Sequence, residues 1–149
     1  MRWGLIALVV AAGLFLPVQV ALNSRLREAV ASPVLSALVS FLVGGTTLLV
    51  VTMLGGLGGT GTGLAGFAAA PWWAFLGGLC GAFYVLLSIV VLPRLGAAVI
   101  IAAAILGQQV ASLLMDNYGW LGVPRVPLTG GRLAGALLLL AGVWLLQRK

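Results

Sequence analysis

Apolar residues run along this chain in five long stretches, about Trp3 to Leu22, Pro33 to Leu54, Pro71 to Leu92, Gly96 to Met115 and Gly131 to Leu146. Each is close to the roughly 20 residues that a helix needs to cross a bilayer. Lipid offers an exposed backbone no hydrogen bonds, so helix is the expected conformation of all five. The pattern predicts an all-α, polytopic membrane protein, with residues 1–149 forming one domain of five transmembrane helices at about 3–22, 33–54, 71–92, 96–115 and 131–146. The first stretch is longer than the core of a secretory leader, and Val20-Ala21-Leu22 is not a small-x-small cleavage site. It is therefore expected to remain as a span.

Polar residues interrupt this pattern at helical spacing. Gln19 and Asn23 stand four apart and share one helix face. Pro17 removes a backbone donor and frees a carbonyl near Gly13, which predicts a kink in the first helix. The second stretch carries Ser36, Ser40, Gly44 and Thr47, and the third Gly77, Gly81, Tyr84 and Ser88. In the fourth, Gln108, Ser112 and Asp116 fall on one face with Gln109 beside it. Such stripes read either as packing surfaces, where small residues let helices approach, or as the lining of a polar cavity. Packing is the simpler reading for the glycines and serines. An amide inside a membrane is costly and often functional, so Gln19 and Gln108 are the leading cavity residues. Asp116 lies at the end of its stretch, placed either to pair with a nearby arginine or to act from a vestibule.

Composition fits lipid as the solvent. The chain is 62% hydrophobic and 7% charged, against roughly a quarter charged in a soluble domain. Its net charge of +6 comes from basic residues scattered singly near stretch ends: Arg2, Arg25, Arg27, Arg94, Arg125, Arg132, Arg148 and Lys149. That distribution suits anchoring to lipid headgroups and not nucleic-acid binding. The chain has no histidine and a single cysteine, Cys80, within the third stretch, so no metal site or intrachain disulfide is expected. There is no phosphate loop, catalytic triad or metal cluster, and neither an enzyme activity nor a cofactor is implied.

With five crossings, the N-terminal side of the membrane holds Arg2, Arg125 and Arg132, and the other side Arg25, Arg27, Arg94, Arg148 and Lys149. Three against five is a weak bias. It allows either a cytoplasmic C-terminus or both orientations in one membrane. The glycine-rich, uncharged segment from Gly55 to Trp73 is expected to be a flexible loop, with Trp72 and Trp73 at the headgroup level where the chain re-enters lipid. In the last stretch Gly131, Gly135 and Gly142 line one face of a leucine-rich helix, a candidate subunit interface, with packing inside the chain as the alternative.

A wider set of residues carries a resemblance. It comprises Leu16-Pro17-Val18-Gln19 with Asn23, Ser32-Pro33, Ser40-Phe41 with Gly44, and Pro71-Trp72-Trp73. To these add Gly77-Gly78 with Gly81 and Tyr84, Pro93 with Leu95-Gly96-Ala97-Ala98, Gly107-Gln108 with Asp116 and Gly119, and the closing Gly135 with Gly142-Val143. In this order and spacing the chain resembles the small five-helix YdcZ-like branch of the drug/metabolite transporter superfamily, a domain of unknown function. The resemblance implies membrane transport by a dimer, because the superfamily holds antiparallel dimers of four-helix exporters and ten-helix transporters built from two inverted halves. Small exporters of the superfamily use a glutamate in the first helix. Here Gln19 occupies the comparable region, so their proton exchange does not carry over.

Five helices contain no inverted repeat of their own, whereas two copies with one flipped supply it. The reading is thus a bacterial inner-membrane transporter subunit working by alternating access as a dual-topology antiparallel homodimer of ten helices. Its partners would be lipid, a second copy and a small solute. The substrate site is expected at Gln19, Asn23, Ser40, Tyr84, Gln108 and Ser112, and the dimer contact at Gly131, Gly135 and Gly142. A neutral or anionic solute suits a pathway without a buried acid. The alternatives are a non-transporting membrane scaffold or accessory subunit, or half of a heterodimeric transporter.

Overall fold

The computed structural model describes residues 2–55 and 66–148. Among them every regular element is helical and no strand is present. In chain order these are α1 (Arg2–Gly13), α2 (Phe15–Val30), α3 (Pro33–Met53), the single turn α4 (Gly66–Ala69), α5 (Gly77–Tyr118) and α6 (Gly130–Gln147). Tighter turns of 3₁₀ helix flank α5 at Trp72–Leu76 and Trp120–Gly122. Most of the glycine-rich loop, residues 56–65, lies outside the described residues, and with it the expected flexibility of that loop.

Four helical runs among the described residues are long and apolar enough to cross a membrane: Trp3–Val30, Pro33–Met53, Trp72–Tyr118 and Gly130–Gln147. Two of these contain a break with a chemical cause. Between α1 and α2 the helix tightens at Leu14, whose N–H reaches Ala11 O at 3.2 Å. Pro17 has no N–H to return to Gly13, and the helix loses its regular ladder one turn before the proline, as the sequence predicts. The second break is within α5 at Gly96, whose φ of 73° and ψ of 159° leave the helical region. That conformation is open to glycine and almost nothing else. So α5 is two helical segments joined at one residue.

The start of α3 follows capping rules. Ser32 accepts from Leu35 N–H at 3.2 Å, and Pro33 stands at the first helical position, where its missing N–H costs nothing. The turn before it is strained, because Ala31 takes a φ of 52° at a place where glycine is the usual residue.

The chain divides into two compact units, Gln19–Val90 and Met1–Val18 with Val91–Lys149. In the first, Ile89 is fully buried against Ala37 and Val85, with Tyr84 and Leu86 packed around them. A methyl group added at Gly81 would lie 3.3 Å from the ring of Phe41, so glycine is what lets α3 and α5 close at that level. Hydroxyls are satisfied internally: Ser36 Oγ donates to Asn23 O at 2.6 Å, Thr47 Oγ1 to Val43 O at 2.8 Å and Ser88 Oγ to Tyr84 O at 2.7 Å. In lipid these bonds replace the ones that water would otherwise make.

In the second unit Ile100, Leu113 and Val143 are buried. The connection from α5 to α6 is tied along its length. Asp116 pairs with Arg132, whose other terminal nitrogen donates to Val126 O at 3.0 Å. Asn117 Oδ1 accepts from Leu128 N–H at 3.1 Å, and Asn117 O accepts from Arg125 Nε at 3.0 Å. Thr129 caps α6 by accepting from Arg132 N–H at 3.3 Å. Most large apolar side chains elsewhere are exposed, which is the expected state when acyl chains are the solvent.

Candidate functional site

The polar stripe of the first hydrophobic stretch ends up facing a neighbouring helix. Gln19 and Asn23, one turn apart on α2, line a cleft whose other wall is Tyr84, Val85, Ser88 and Ile89 of α5. Val20 completes the α2 side. As it stands the cleft is too narrow to hold a water molecule. Asn23 is 7% exposed, yet its side-chain amide has no hydrogen-bond partner among the described residues. Only its backbone oxygen is engaged, by Ser36. A buried amide is normally bonded, so its free donors and acceptor mark a place where a further group can bind.

Gln19 also belongs to a second cavity of about 290 Å³, lined with Ser40, Phe41, Gly44, Gly45 and Leu48 of α3. The glycines supply the width, and Gln19 is the residue common to both spaces. Of the residues expected to bind substrate, Gln19, Asn23, Ser40 and Tyr84 therefore surround two adjoining cavities in the unit Gln19–Val90. Gln108 and Ser112 lie in the other unit, on the segment of α5 after Gly96, and both are exposed.

On α6, Gly131 and Gly135 are exposed and Gly142 is half-buried, and a methyl group at any of the three would meet open space. Asp116 is held by Arg132 rather than standing free in a vestibule. Among the described residues no three histidine, cysteine or acidic side chains gather where a metal could be held. Cys80 is exposed, and Trp144 lies under the guanidinium of Arg148 at 3.9 Å near the end of α6.

One residue of the cleft escaped sequence reasoning. Arg27 reads as a headgroup anchor, yet it is half-buried and its NH1 donates to Ile89 O at 3.1 Å, across from α2 to α5. Two signals were available. Arg27 continues the spacing of Gln19 and Asn23 by one more turn, and Pro93 leaves the carbonyl of Ile89 without its helical donor.

The family model described as "Putative inner membrane exporter, YdcZ" matches residues 4–145. The chain is similar to the "Inner membrane protein YdcZ" of Escherichia coli (strain K12), at 34% identity over 148 residues, covering 97% of this chain and 95% of that protein. No solved structure matches the chain significantly. With several helices able to span lipid and an inner-membrane relative of nearly its full length, the chain is a multi-pass protein of the bacterial inner membrane.

Proposed function

We propose that this chain, which belongs to the YdcZ family, is a transporter subunit that moves a small solute by alternating access as a dual-topology antiparallel homodimer. The observation that carries the reading is Asn23, more than nine-tenths buried with its amide unpartnered and sharing a cleft with Gln19 and Tyr84. A structural amide buried to that degree would have a protein partner. A solute that enters and leaves explains why it has none.

The break at Gly96 supports five crossings. The run Trp72–Tyr118 holds 47 residues, more than twice what one crossing takes. Divided at Gly96, it supplies two. Five crossings give one copy no inverted partner for itself, and a flipped second copy provides the inverted pair that alternating access commonly uses. The open glycine face of α6 at Gly131, Gly135 and Gly142 is where the second copy would approach closely. Gln108 and Ser112, exposed in the single chain, would complete the solute pathway in the assembly.

The test is a solute screen on purified protein by thermal stabilisation, followed by transport of the hits in proteoliposomes. Gln19→Ala and Asn23→Ala are expected to abolish movement of the solute while the protein still folds and inserts. A reconstituted protein that moves no hit, together with cells indifferent to both substitutions, would instead establish a scaffold or accessory subunit.

A further inference from the structure

We infer that the cleft binds an oxyanion, a carboxylate or phosphate group carried by the transported solute, and that Arg27 and Asn23 hold it. The inference rests on the transport reading and names the substrate class for it.

The argument begins with a count. The chain has two acidic residues. Glu28 accepts from Arg25 at 2.9 Å, and Asp116 pairs with Arg132. Both side-chain carboxylates are therefore taken by other arginines. Arg27 is half-buried, and the one protein group it bonds among the described residues is a neutral carbonyl, Ile89 O. A guanidinium presents a planar fork of several N–H donors suited to a carboxylate or phosphate. A cation drawn partly out of water is costly without a counter-charge, and an incoming anion offsets that cost.

Position then links the charge to the cleft. Gln19, Asn23 and Arg27 follow one another at intervals of four on α2, each about 6 Å further along the axis. The bond to Ile89 O holds the guanidinium against a residue that itself lines the cleft. One turn in from Arg27 stands the unpartnered Asn23 amide, and one turn further Gln19. Tyr84, on the opposite wall, has a hydroxyl without a partner among the described residues. The arrangement is a positive mouth leading to neutral hydrogen-bond donors. The single acid of this unit, Glu28, is exposed and bound to Arg25. Such a row attracts an anion and gives a cation nothing to pair with.

The experiment uses full-length protein labelled with ¹⁵N at arginine and asparagine, in nanodiscs of phosphatidylcholine. Inorganic phosphate and benzoate are titrated separately. The Nε resonance of Arg27, assigned with Arg27→Lys, and the side-chain amide of Asn23, assigned with Asn23→Ala, are followed together. At least one probe is expected to shift both resonances saturably and leave the exposed Arg25 unmoved. Arg27→Lys keeps the charge and is expected to weaken that binding by about tenfold. A second arm replaces part of the lipid with phosphatidylglycerol and adds no probe. Shifts seen only in that arm would mean that a headgroup occupies the site and would overturn the inference. So would resonances that respond to nothing. In that event, Gln19-dependent movement of a neutral solute would still leave the transport reading standing.

Discussion

Arg27 on α2 donates from NH1 to the carbonyl oxygen of Ile89 on α5 at 3.1 Å, and the reason that oxygen is free lies four residues further on, at Pro93. Proline has no N–H, so the helix cannot close its own bond onto Ile89. An arginine from another helix supplies the donor. Within a membrane an unpaired carbonyl is expensive, and this one is paired by the side chain that also brings positive charge to the cleft.

That relationship predicts a thermodynamic coupling. Pro93→Ala restores a backbone donor for Ile89, after which Arg27 is no longer needed there. Arg27→Met should lower stability in the natural background and do so less in the Pro93→Ala background. The coupling is expected at about 1 kcal/mol, the usual net worth of such a bond. A double-mutant cycle of unfolding in mixed micelles of sodium dodecyl sulfate measures it, and additive effects would disprove the link.

Backbone conformation gives a pair of opposite predictions. Gly96 has a φ of 73° and ψ of 159° with open space around its Cα. The loss on Gly96→Ala is therefore one of backbone strain and not of crowding, about 1–3 kcal/mol. Ala31, at a φ of 52°, is the reverse case. Ala31→Gly should raise stability by about 1 kcal/mol, because the left-handed conformation costs alanine and not glycine. Gly78→Ala, at a helical position with nothing within 4 Å, is the control. It should be neutral or slightly stabilising. The same micelle unfolding assay ranks all three.

The link between α5 and α6 predicts a separation of stability from transport. Arg132 holds both Asp116 and Val126 O, whereas Asp116 loses a single side-chain partner when neutralised. Arg132→Gln should therefore destabilise more than Asp116→Asn. With Asp116 engaged as a strut, Asp116→Asn should reduce the yield of folded protein and leave the transport rate per folded molecule unchanged across pH. A transport rate whose pH profile disappears in Asp116→Asn would show that the carboxylate carries the coupling proton after all.

The fold was legible where membrane chemistry acts on a single segment. Runs of apolar residues marked the helices, Ser32-Pro33 marked the start of α3, and Pro17 with Gly13 marked the break before α2. What required three dimensions was partner choice. The spacing of Gln19 and Asn23 defined a face, but nothing along the chain said that Tyr84 and Ser88 stand opposite it. Likewise Ser36 and Ser40 look equivalent in sequence. One is fully buried with its hydroxyl on Asn23 O, and the other lines a cavity with Gln19. Arg27 was hidden for a related reason, since a basic residue near a span end is ordinarily an anchor, and its burial depends on a carbonyl freed far away in the chain.

Orientation supplies the last prediction. Side by side, the basic residues count three on one face of the membrane and five on the other if the chain crosses five times. So small a difference should let both insertions occur. A reporter fused after Lys149 should then be found on both sides of the membrane in the natural protein. Leu146→Lys with Gln147→Lys raises the larger count from five to seven and should fix one orientation, with transport falling as flipped partners disappear. Lysines placed in the loop at residues 56–65 add charge to the opposite face and should fix the other orientation, again with little transport. Expressing the two biased forms together restores a mixed population, and transport should return. C-termini confined to one side in the natural protein, with full activity, would remove the antiparallel homodimer and leave a parallel assembly or a heterodimer to account for the unpartnered amides.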